Sequence, residues 1–176
     1  MLSKISAVSA IIALLGATSV QAAEPKQCIP AETAESLITY VLPGALGAAR
    51  TKCLSSLPAS AALLQVDSAR MQRYEADSQR AWPQASTAIG LMVGQDLPEN
   101  LSLDAMRPFV DAMIPTMLAQ EIKAKDCPTI DKVYSLLEPM PTANLASLTV
   151  MLAQLGSNGE EEGRKDPFNI CKAPAE

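Results

Sequence analysis

The run from Leu103 to Lys125 is the longest amphipathic stretch of the chain, and it restricts the fold to one built from packed helices. At about 100° per residue, Leu103, Met106, Phe109, Val110, Met113, Ile114 and Met117 share one broad face, with Asp104, Pro108, Asp111 and Pro115 opposite. That apolar face reads as the inner wall of a core. The two prolines lie on the outward side, where water covers a carbonyl that has lost its donor, so they curve the helix rather than break it. The rest of the chain is expected to wrap around this helix, which Ser102 caps.

Helical spacing recurs on both sides of it. Ala34, Leu37, Ile38 and Val41 predict a helix from Pro30 to Leu42, which Pro43-Gly44 ends, and a weaker one follows from Ala45 to Leu57. A long helix is expected from Ser60 to Trp82, with Leu63, Leu64, Met71, Tyr74 and Trp82 along its stripe, and Pro83 starts a short one. Asp67 falls inside that stripe, where an unpaired carboxylate is costly, so it needs Arg70 or a helix end as partner. Ile130, Val133, Tyr134 and Leu137 mark a helix over Thr129 to Glu138, and Thr142 opens another that buries Leu145, Leu148, Met151, Leu152 and Leu155.

The first residues predict export. Lys4 precedes an apolar segment from Ile5 to about Gly16, and the small residues Val20, Ala22 and Ala23 offer a cleavage site after Ala22. The segment is shorter than the roughly 20 residues a membrane-spanning helix needs, so no transmembrane segment is expected once it is removed. In an oxidising compartment, Cys28, Cys53, Cys127 and Cys171 read as two disulfides. Pairing of neighbours in sequence, Cys28 with Cys53 and Cys127 with Cys171, ties each chain end to a nearby helix. No spacing is CxxC, which argues against a redox motif or a zinc ribbon.

Composition excludes several functions. The formal charge is −5, removal of the lone lysine before Ala22 makes it one unit more negative, and aromatics are 3% of the chain, so nucleic acid is not an expected partner. There is no histidine, hence no Ser-His-Asp arrangement and no HExxH helix. Two carboxylates, Asp104 and Asp111, share a helix face and remain as a candidate acid pair of a hydrolase. Met106, Met113 and Met117 lie in a narrow arc that suits either a flexible apolar wall or thioether ligation of Cu(I).

These readings combine into an all-α single compact domain of about six or seven amphipathic helices, stapled by two disulfides. A cleaved signal (1–22), a helical domain (23–156) and an acidic tail (157–176) pinned at Cys171 make up the chain. The expected function is that of a periplasmic or secreted, non-catalytic module that binds an unknown protein or an apolar small ligand, with no cofactor and no metal. Its expected groove runs along Met106, Phe109, Met113 and Met117, with Tyr74 and Trp82 as aromatic anchors and Asp67 as a polar contact. The alternatives are the Asp104 and Asp111 hydrolase and a Met-rich carrier of Cu(I) or an apolar ligand.

Overall fold

A computed structural model describes residues 28–93, 102–158 and 169–171. The expected signal segment and the acidic run after Asn158 lie outside the described residues. Five α-helices account for most of the rest: α1 (Ala31–Cys53), α2 (Ser68–Val93), α3 (Leu103–Glu121), α4 (Cys127–Leu137) and α5 (Thr142–Asn158). Short 3-10 turns, Ala62–Gln65 and Ala124–Asp126, precede α2 and α4. The fold is all-α, as the periodicity predicts.

The count falls below six or seven because two expected breaks do not occur. Pro43 lies inside α1 and Pro83 inside α2, each in a helix that continues through it. A proline removes one backbone donor, at a cost of about 3 kcal/mol in an isolated helix. Burial on both sides of each proline offsets that cost. Leu37 and Tyr40 are buried before Pro43, with Ala48, Ala49 and Cys53 after it; Trp82 flanks Pro83 on one side and Ala85 and Ala88 on the other. Near Pro83, the hydroxyls of Ser86 and Thr87 also donate to the Pro83 carbonyl.

α1 is the centre of the molecule, in place of α3. It packs against α2, α3 and α5, whereas α3 meets α2 only lightly. One core joins Ile29, Leu37, Tyr40, Trp82, Ala85, Ala88, Val110, Val150 and Ile170; a second, at the far end of α1, joins Ala49, Leu63, Val66 and Tyr134 to Cys53 and Cys127. Glu32 in the first turn of α1 and Arg50 and Lys52 in the last match the helix dipole. Asp77 links α2 to the start of α5, accepting from the Thr142 hydroxyl at 2.6 Å, and also pairs with Arg80.

α3 is rotated relative to the expected orientation. Val110 is its buried residue, with Leu103, Met106 and Ile114 half-buried, whereas Phe109 is 60% exposed, Met117 57% and Met113 39%. Arg107 and Pro115 turn toward α1 and α2 instead, with Asp104 and Asp111 at the exposed edge of that contact. Pro115 sits on Gly44 of α1 rather than in solvent, while Pro108 is exposed. The helix ends at Glu121, so Lys123 and Lys125 follow it. Ser102 accepts from the Ala105 amide at 3.2 Å, the predicted cap.

The disulfides join Cys28 to Cys171 and Cys53 to Cys127, which overturns the sequential pairing. The physical reason is the unbroken α1. At 1.5 Å per residue it carries Cys53 about 33 Å from the start of the helix beside Cys28, far beyond the roughly 7 Å that a disulfide spans between Cα atoms. The chain ends meet each other instead. Ile29 and Ile170 form a parallel bridge, in which the Ile29 amide donates to Asn169 and the Cys171 amide to Ile29, both at 2.8 Å. These bridges close loops of 143 and 74 residues, worth about 4 to 5 kcal/mol each in the chain-entropy model.

Candidate functional site

Two places among the described residues set a cavity beside a cluster of interacting polar side chains. The first is a knot among α1, α2 and α3. The Tyr40 hydroxyl donates to Asp111, the Trp82 indole donates to Asp104 at 2.6 Å, and the Tyr40 and Trp82 rings lie 4.9 Å apart. Arg107 stacks over both rings, 4.9 Å from the Trp82 centroid and 5.7 Å from that of Tyr40. It also donates to Gln79 at 2.6 Å and lies 3.9 Å from Asp111. Burial, then the hydrogen bond to Asp111 and its charge, push the Tyr40 hydroxyl up to about 12, and Arg107 opposes them in part. A cavity of about 200 Å³ beside this knot is lined by Tyr40, Glu75, Gln79, Arg107 and Asp111.

The knot explains the rotation of α3. Asp104 and Asp111 each accept a hydrogen bond from a buried aromatic side chain of another helix, so the charged side of α3 is satisfied in contact with α1 and α2. This engagement supports a packing role for both carboxylates. Trp82 belongs to the knot.

The second site is a cleft of about 290 Å³ whose walls are α4 and α5 and whose floor is α1, α2 and the Ala62–Gln65 turn. Leu42, Leu46 and Leu63 supply the base, Ile130, Val133 and Leu137 one wall, and Leu145 and Thr149 the other. The i, i+3, i+4, i+7 stripe of α4 packs toward the Ala62–Gln65 turn and α1, and α4 barely touches α5, which leaves the cleft open between them. Val133 on the α4 wall is 47% exposed, and α4 and α5 carry further exposed apolar residues in Leu136, Leu152 and Leu155.

One end of the cleft is polar. Tyr74 and Tyr134 line it, both buried, together with Glu138. Arg70 clasps the end of α4 by donating to the Glu138 carbonyl and by pairing with its carboxylate at 3.0 Å. Asp67 accepts from the Arg70 amide at 2.7 Å, capping α2, and lies 4.0 Å from its guanidinium. Burial, then nearby Tyr74 and the Glu138 charge, push the Tyr134 hydroxyl up to about 12. Among the described residues, the Tyr134 hydroxyl and Arg70 Nε are the buried side-chain polar atoms without a hydrogen-bond partner.

The expected groove residues are thus distributed over separate faces. Phe109, Met113 and Met117 lie together on the outer side of α3, Met106 is half-buried beside them, Trp82 is in the knot, and Tyr74 lines the cleft with Asp67 near its polar end. Sequence reasoning identified the α4 stripe as the pattern of a helix and assigned it no site. It passed over Arg107 and Glu138, whose roles depend on partners 28 and 68 residues away. Among the described residues, no group of three or more His, Cys, Asp or Glu side chains could hold a metal, and no helix is long and apolar enough to cross a membrane. Compared with protein-family models, curated proteins and solved structures, the chain matches none.

Proposed function

We propose that this chain is an exported, non-catalytic binding module whose site is the cleft between α4 and α5. The observation that carries the reading is the cleft itself: apolar walls that α4 and α5 leave apart, a half-exposed Val133 on one of them, and a few polar groups gathered at one end. Concave, mostly apolar sites with few convergent polar groups are the usual form of a small-molecule site. Export rests on the charged, apolar and small-residue grammar before Ala23 and agrees with the two disulfides.

The test is binding of an environment-sensitive apolar dye to the disulfide-bonded chain and to Val133→Arg. Val133 is 47% exposed on the cleft wall, so a charge there fills the opening without entering the core. Saturable binding near one dye per chain is expected, lost in the variant at unchanged helicity and melting temperature. Equal dye binding in the variant, or no saturation in the parent, contradicts the proposal.

A further inference from the structure

Resting on the reading of the α4–α5 cleft as the binding site, we infer that its occupant is a small uncharged apolar molecule bearing a carbonyl, an ester or ketone, whose oxygen accepts from the Tyr134 hydroxyl. Size sets the first limit. A volume of about 290 Å³ corresponds to roughly ten water molecules at about 30 Å³ each, which suits a short-chain molecule and is too small to enclose a helix about 10 Å across.

The polar end sets the rest. Tyr134 is 8% exposed, and its hydroxyl has neither solvent nor a protein partner, an arrangement that costs free energy until an acceptor arrives. Burial holds the phenol protonated, so it serves as a donor. The charges around it refuse an anion. Glu138 is the only charged side chain among the described residues lining the cleft, and Arg70 already gives its terminal nitrogens to the Glu138 carbonyl and carboxylate. Asp67 faces the remaining Arg70 nitrogen at 4.0 Å, which leaves two carboxylates around one guanidinium. A carboxylate headgroup would therefore lose its hydration with no cation to receive it, whereas a neutral carbonyl needs one donor and finds it.

Access follows from how α4 is held. It is fixed by Cys53–Cys127, by Asp131 accepting from the Leu63 amide at 2.7 Å and by the Arg70 clasp, while barely touching α5. Tyr134 packs with Ala49, Leu63 and Val66, so an occupant reaches the covered hydroxyl by shifting α4 against that seam, a motion that α5 does not oppose.

The experiment is a methyl-NMR titration of the disulfide-bonded chain at neutral pH with three probes of similar length: 2-nonanone, octanoate and nonane. The ketone is expected to bind about tenfold more tightly than octanoate, and Tyr134→Phe to lower its affinity about fivefold to tenfold, the worth of one hydrogen bond, while leaving nonane unchanged. Loss of the hydroxyl alone keeps the ring in the core, so the variant folds. Octanoate binding as tightly as the ketone, or a ketone-to-nonane ratio that survives Tyr134→Phe, overturns the ligand class while the cleft reading stands. No cleft shift with any of the three overturns the cleft reading itself.

Discussion

Pro115 of α3 rests on Gly44 of α1 at a point where a Cβ on residue 44 would stand 3.0 Å from the proline Cγ. The contact ties two findings together: α1 runs on through Pro43 and Gly44 instead of ending there, and α3 presents Pro115 to α1. Gly47, one turn further on, has nothing within 4 Å of the equivalent position. Both glycines lie in the same helix, so alanine at either gains about 0.5 to 1 kcal/mol of helix propensity. Gly47→Ala is expected to realise that gain in a denaturant melt. Gly44→Ala should fall short of it, and Gly44→Leu should be destabilising by about 1 to 3 kcal/mol.

The knot between α1 and α3 gives a coupled pair. Asp111→Ala leaves the buried Tyr40 hydroxyl without its acceptor and Arg107 without its carboxylate, a loss of about 1 to 3 kcal/mol. Tyr40→Phe removes the donor first. In the double variant, Asp111→Ala should therefore cost less than it does alone, with a coupling of at least about 0.5 kcal/mol from denaturant midpoints.

Alkali tests the burial of two tyrosines. The Tyr40 and Tyr134 hydroxyls are raised from 10.0 to about 12 in the folded chain. A folded-state value above the unfolded one stabilises fully below pH 10, and the stabilisation is lost from there to about pH 12, as the unfolded chain releases protons that the folded chain keeps. Denaturant midpoints should hold steady to pH 9.5 and then fall. The expected slope is about 1.4 kcal/mol per pH unit for each tyrosine. Ultraviolet titration should show a late-ionising tyrosine that is lost in Tyr40→Phe and another that is lost in Tyr134→Phe.

The disulfides differ in exposure. Cys28 is exposed, whereas Cys53 and Cys127 are both 0% exposed beneath Leu63 and Tyr134. Thiol exchange needs access to a sulfur. Limited reduction followed by alkylation and mass mapping should label Cys28 and Cys171 first and leave Cys53 and Cys127 joined.

Periodicity made the helical class, the Ser102 cap and the α4 stripe legible, because each depends on residues within a turn or two of one another. Where α1 and α2 pass their prolines was not legible. Local preference at Pro43 and Pro83 favours a break, and burial of Leu37, Trp82 and Ala85 by distant helices outweighs it. The disulfide pairing went with that error, since a broken α1 could fold Cys53 back toward Cys28 and a straight one cannot. The rotation of α3 was hidden for a different reason. An apolar count favours the side with Phe109, Met113 and Met117, but the side that packs is the one whose polar groups find partners in Tyr40, Trp82 and Gln79. Of the cleft, the sequence displayed Tyr74 and one wall; the clasp of Arg70 on Glu138 joins residues 68 apart and exists only in the fold.

The most direct measurement is a map of which methyl groups shift when 2-nonanone saturates the disulfide-bonded chain. Saturable shifts are expected at Leu42, Leu46, Val133 and Leu145, the base and both walls of the cleft, with Met113 and Met117 of α3 unmoved. Shifts confined to the α3 methionines, or none that saturate, would contradict it.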